Sequence, residues 1–215
     1  ILFLDDDAVA EPRWALEMLA EMERRRLDAA CGMVLPRWLV EPPRWLGPSL
    51  WVKLAVHDRS AIESAPTECA ETLANYFSAN AGFRRAAFER YGKFREDLGV
   101  VGGNPISGED TELFARIIAQ GGKMGFAPRA IVHHQIPPER MTRAYLRRKS
   151  FAFGLGSAVA GGGRSHNQPG KLFRNALRMA IAAARGDRER ALYHELECAN
   201  FLGYWRGRMS PRPRP

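Results

Sequence analysis

Three acids in a row, Asp5-Asp6-Asp7, follow directly on the apolar run Ile1-Leu2-Phe3-Leu4. Adjacent carboxylates repel one another unless a cation sits among them. On an extended chain alternate side chains point the same way, so Asp5 and Asp7 are expected to converge. Hard oxygen ligands of this kind suit Mg²⁺ or Mn²⁺, with a diphosphate completing the coordination; an acidic strand-to-loop turn is the plainer alternative. A second acidic pair, Glu109-Asp110, follows Gly108 at the start of a helical pattern. Such carboxylates either cap the helix or serve as a general base for a substrate hydroxyl. His133-His134 end an apolar run, and only one of two neighbouring strand residues can face a site. Arg140, Arg143, Arg147, Arg148 and Lys149 then form a cationic stretch, either a solvated face or a partner for a diphosphate.

The elements that must hold these groups follow from periodicity and breakers. Ile1–Leu4 reads as a buried central parallel strand. A helix is expected from Pro12 to about Arg24-Arg25-Arg26, and a strand from Ala29 to Leu35, which together make a right-handed crossover of an α/β sheet. The proline-broken stretch 36–72 carries Trp38, Trp45 and Trp51, with a short strand expected over Leu50–Val56. A strand over Leu73–Phe83, a helix over Arg85–Tyr91, a helix over Glu109–Gln120 and two strands over Lys123–Ala127 and Ala130–His134 complete the first part. Beyond Pro137-Pro138 three helices are expected, near 142–153, 172–184 and 188–206, with a glycine-rich link at 161–163. The division is expected at 140, with residues 141–215 a basic helical extension.

The chain of 215 residues is 46% hydrophobic and 26% charged, a balance that excludes disorder. Its net charge of +8 is uneven. Residues 1–138 hold 16 Lys+Arg against 19 Asp+Glu, whereas residues 139–215 hold 16 against 5. The basic third calls for an anionic neighbour: a phosphate-bearing ligand, a membrane surface or nucleic acid. No finger, helix-turn-helix or aromatic RNA motif accompanies it, so specific nucleic-acid binding is not expected. Cys31, Cys69 and Cys198 are far apart, which suits buried thiols in a reducing compartment.

Taken in order, Phe3-Leu4-Asp5-Asp6-Asp7, Ser78-Ala79-Asn80-Ala81-Gly82-Phe83-Arg84-Arg85, Gly108-Glu109-Asp110-Thr111-Glu112-Leu113, Val132-His133-His134 and Pro137-Pro138-Glu139-Arg140 resemble a family-2 glycosyltransferase of the GT-A fold. The resemblance runs from about 1 to 155. It implies an α/β sheet of GT-A type with a C-terminal helical extension, the nucleotide-recognising half that normally precedes the DxD strand being absent. It also implies inverting, metal-dependent transfer of a sugar from a nucleotide-diphosphate donor to a saccharide or lipid-linked acceptor. By match, Asp7, Asp5 and His134 would hold the metal, Asp110 would be the base and Glu109 would orient it. Asp5, Asp6, Asn80, Gly82, Arg147 and Arg148 would lie at the donor. Where processive members carry Gln-x-x-Arg-Trp, this chain has Arg147-Arg148-Lys149-Ser150-Phe151. The expected setting is the cytoplasm, with peripheral contact to the anionic inner face of the cell membrane.

Two other readings compete. An apolar strand followed by Asp5, Asp7 and Val9 is also how haloacid-dehalogenase-like phosphatases begin, with Asp5 as nucleophile. Alternatively the basic tail is a non-catalytic membrane-surface module, built on Leu172, Phe173, Leu177, Met179 and Ile181 among Lys171, Arg174, Arg178 and Arg185.

Overall fold

The computed structural model describes residues 1–57, 76–99, 106, 108–161 and 170–209. Cys69 and residues 162–163 of the glycine-rich link lie outside the described residues, as does the start of the strand expected from Leu73; of the described part of that segment only Asn80–Phe83 is strand, residues 76–79 being non-strand. The strands are β1 (Leu2–Leu4), β2 (Ala8–Ala10), β3 (Ala29–Trp38), β4 (Asn80–Phe83) and β5 (Met124–Ile136). The helices are α1 (Trp14–Arg25), α2 (Pro48–Trp51), α3 (Arg85–Tyr91), α4 (Glu109–Ala119), α5 (Arg143–Val159), α6 (Gly170–Ala184) and α7 (Arg188–Met209). Contacts divide the chain into two compact units. The first comprises Ile1–Glu41, Leu54–Phe94 and Leu113–Pro137; the second comprises Pro42–Lys53, Arg95–Glu112 and Pro138–Pro215.

The first unit is an α/β layer structure of GT-A type around one sheet of order β1-β4-β3-β5-β2. Only β3 and β5 run parallel; the other neighbours are antiparallel. β1 is therefore an edge strand of the described sheet, not the central parallel strand its apolar run suggested. The reason is the turn over Asp5–Ala8, closed by the Ala8 N–H to the Asp5 carbonyl at 3.1 Å. It divides one apolar stretch into two strands that pair with different partners.

Alternation along β3 builds a core on each face. Ala29, Cys31 and Met33 join Phe83, Tyr91, Leu113, Phe114 and Ile117 on one side. The Phe83 and Phe114 rings stack with centroids 5.8 Å apart, and Phe3 meets Phe83 edge-on at 5.6 Å, geometries that aromatic pairs prefer. On the other side Ala30 packs under α1 through Met18, Met22 and Leu27. β5 is one strand rather than the two expected, because the chain bulges where Gly32 pairs with Ala127 but Met33 pairs with Ile131. Where β4 ends, His57 continues the pairing of β3: its N–H donates to the Val34 carbonyl at 2.7 Å, and its Nδ1 accepts the Val34 N–H at 3.0 Å.

In the second unit the segment expected as a strand over Leu50–Val56 instead forms α2 and a 3₁₀ turn over Val52–Leu54. Pro48 in the first helical position supplies the preset φ and needs no N–H partner there. The segment is tied to α7 by the Lys53–Glu197 ion pair at 2.7 Å and by the Ser49 N–H donating to the Glu189 carboxylate at 3.0 Å. α5 starts at the cap Thr142, whose hydroxyl accepts the Tyr145 N–H at 3.1 Å. It packs on α7 at backbone range. A Cβ on Gly154 would lie 1.9 Å from the Asn200 carbonyl oxygen, and one on Gly203 would lie 2.0 Å from that of Phe151. Among the described residues no helix is long and apolar enough to cross a membrane.

Backbone atoms cannot yield as a side-chain tip can. Gly154→Ala and Gly203→Ala should each destabilise the protein by about 1–3 kcal/mol, the range for overpacking a tight interior. Chemical denaturation of both variants beside the parent chain measures this.

Candidate active site

In the first unit the described residues bring three ligand-type side chains together: Asp5, Asp7 and His134, with one donor atom of each within 4.8 Å of the others. The geometry is set by backbone pairing. β2 runs antiparallel to β5 with Ala8 opposite His134, and the Gln135 N–H donates to the Asp7 carbonyl at 2.8 Å. Asp7 and His134 therefore emerge side by side, and His134 Nε2 stands 3.1 Å from the Asp7 carboxylate. Asp5 reaches them through the turn, not through strand alternation, since residues 5–7 are not extended.

His134 is buried, Asp7 partly so and Asp5 exposed, so the cluster opens at its acidic end. Asp6 is exposed and outside the cluster. His133, opposite Val9 on β2, goes to the other face, with Nε2 3.2 Å from the Glu11 carboxylate. Two carboxylates and one imidazole, converging with one side open, are a donor set that could hold a divalent cation.

Asn80 and Gly82 sit inside the sheet. Asn80 is fully buried, opposite Leu4, the residue before Asp5. Its Nδ2 donates to the carbonyls of Met33 at 2.9 Å and Ala130 at 2.7 Å, and its Oδ1 accepts the Trp14 indole N–H at 2.7 Å. One amide thus closes the β5 bulge, ties down α1 and supports the strand that delivers Asp5. Any side chain at Gly82 would meet Met18 and Met22, each 2.9 Å from a Cβ built there.

Glu109 and Asp110 belong to the second unit. Gly108 precedes them at φ +113°, a left-handed conformation that suits glycine, and its carbonyl accepts the Glu112 N–H at 2.9 Å to open α4. The Asp110 carboxylate accepts the Thr111 N–H at 2.6 Å and the Thr111 hydroxyl at 3.2 Å. The Glu109 carboxylate accepts the Gly108 N–H at 3.0 Å. Thr111 directly follows Asp110 in the sequence, but its contact with the Asp110 carboxylate depends on the rotamer and has no sequence signal of its own. Arg147 is ion-paired with Glu195 of α7, which holds its guanidinium pKa above the ordinary value, and Arg148 is exposed on α5.

Comparison with known proteins agrees with this architecture. Residues 1–192 match the family model described as glycosyl transferase family group 2, and the chain belongs to that family. Membership of that family stands against the phosphatase reading in which Asp5 is a nucleophile. The succinoglycan biosynthesis protein ExoM of Rhizobium meliloti (strain 1021) is 26% identical over 186 residues, 86% of this chain and 54% of that protein. The glucosyl-dolichyl phosphate glucuronosyltransferase of Haloferax volcanii is 25% identical over 162 residues, 74% of this chain and 50% of that protein. The chain spans about half the length of these curated relatives. No solved structure matches it.

If the cluster is a ligand set, its members are not interchangeable with their neighbours. Asp7→Asn and His134→Ala should each weaken Mn²⁺ binding at least tenfold, about 1.4 kcal/mol. Asp6→Asn and His133→Ala should leave it within twofold of the parent. Isothermal titration with Mn²⁺ alone checks all four.

Proposed function

We propose that the chain carries the catalytic centre of an inverting glycosyltransferase that moves a sugar from a nucleotide-diphosphate donor to a hydroxyl of a saccharide or lipid-linked acceptor. The observation that carries this reading is the convergence of Asp5, Asp7 and His134 at the end of the β2–β5 pair, in a chain of this family. Asp5, Asp7 and His134 would hold a divalent cation, which when bound offsets negative charge on the leaving diphosphate.

Asp110 takes the proton of the acceptor hydroxyl as its oxygen attacks the anomeric carbon. Attack comes from the face opposite the departing diphosphate, so the configuration inverts. The two hydrogen bonds from Thr111 fix the Asp110 carboxylate before the acceptor arrives, which lowers the entropic cost of alignment. Glu109 stabilises the Gly108 turn that starts α4. Asn80 and Gly82 act on the donor indirectly, by holding the strand that ends at Asp5. Arg147 is already engaged by Glu195, which leaves Arg148 as the better placed of the two for an anionic substrate. The names of the relatives, one a polysaccharide biosynthesis protein and one acting on a dolichyl phosphate-linked sugar, favour an acceptor of saccharide or lipid-linked type.

Loss of a general base lowers turnover by about 10²–10⁴-fold. Asp110→Asn should show that loss in transfer from a panel of nucleotide-diphosphate sugars, assayed in the full-length protein, with Mn²⁺ affinity unchanged. Retained turnover in Asp110→Asn would remove the base assignment.

A further inference from the structure

A helix on a protein surface normally turns its apolar side inward. α6 carries apolar residues outward as well. Its residues against the rest of the second unit include Asn175 and Ala182, whereas Phe173, Leu177 and Ile181 are 72%, 50% and 42% exposed. At about 100° per residue, these three, with Ala180 and Ala184, fall on one outward stripe spanning about 100°. Arg174, Arg178 and Arg185 form a row along one border of that stripe.

Beside the row, α6 and α7 enclose a cavity of about 690 Å³ lined by Arg178, Ile181, Arg185, Asp187, Arg190 and His194. Three arginines against one aspartate make its lining cationic. His194, whose Nδ1 lies 3.1 Å from the Asn175 side-chain oxygen, has its pKa held below the ordinary value by burial and by Arg178 and Arg190. The neighbouring positive charge is thus felt inside the wall of the cavity.

We infer that the outward face of α6, with the arginine-lined cavity beside it, docks on the surface of a bilayer rich in anionic lipid. Phe173, Leu177 and Ile181 enter the boundary between headgroups and acyl chains, and Arg178, Arg185 and Arg190 receive lipid phosphates. Adjacent apolar and cationic strips are what such an interface requires, since its apolar layer lies next to a layer of negative charge. A second copy of the chain is a poorer occupant. Residues 139–215 carry an excess of 11 positive charges, and apposing two such segments costs electrostatic repulsion. The inference is independent of the sugar-transfer reading.

The test is sedimentation of the full chain with vesicles of phosphatidylcholine alone and of phosphatidylcholine with phosphatidylglycerol, at low salt and at 0.5 M NaCl (about half the Debye length of physiological salt). Binding should need the anionic lipid and fall at high salt. Phe173→Ser with Leu177→Ser should reduce partitioning at least tenfold at unchanged helix content. Arg178→Gln and Arg185→Gln should each cost about fivefold, on the usual contribution of one basic residue at such a surface. Equal partitioning to the two vesicle types, or no vesicle binding at all, would overturn the inference. So would self-association of the parent chain that the serine variants abolish while vesicle binding persists.

Discussion

The site depends on one stretch of backbone pairing. Three residues of β2 lie antiparallel to β5, and the Asp7 carbonyl accepts the Gln135 N–H. That register decides which of two adjacent histidines faces the acids. Shifted by one residue, it would turn His133 toward Asp7 and His134 toward Glu11, because neighbouring strand residues face opposite sides. Carboxylates and imidazole meet within a few ångströms although 127 residues separate Asp7 from His134, so their proximity is a property of the sheet and of no local motif.

The supports of that register lie deeper. Asn80 uses both amide protons and its carbonyl on three elements at once, at the point where β5 bulges and β4 begins. A buried amide satisfied on every side specifies an arrangement strongly, since breaking one contact leaves a polar atom stranded away from water. Gly32 has the same locality: a Cβ there would lie 2.3 Å from the Ala130 carbonyl and 2.4 Å from the Asn80 amide nitrogen. The sheet is thus pinned beside the strand that leads into Asp5, where positional error would cost most.

Much of this was legible in the residues, and the unread parts have physical causes. Helices α1, α3, α4, α6 and α7 lie close to their expected spans because caps, glycines and apolar spacing are local signals. The sheet order was misread at its first strand: a short apolar run carries no mark of its partner, and the turn at Asp5–Ala8 reassigns it. The β5 bulge looked like a break because Pro128 normally ends a strand, yet here the extra residues loop out while pairing resumes at Ile131. The segment expected as a strand over Leu50–Val56 turns helical because Pro48 sits in the first helical position. Of the site, the acids and histidine could be picked out by type and order. The burial of Asn80, the engagement of Arg147 by Glu195 and the Thr111 contacts depend on tertiary neighbours.

The central claim is that a divalent cation binds through one specific imidazole as well as through carboxylates. Pulsed electron paramagnetic resonance of the Mn²⁺-loaded protein reads this directly, because a coordinated imidazole nitrogen couples to the metal's electron spin. The account predicts a single imidazole coupling that changes on ¹⁵N-histidine labelling and disappears in His134→Gln. A spectrum with oxygen ligands alone, or a nitrogen coupling that persists in His134→Gln, would contradict it.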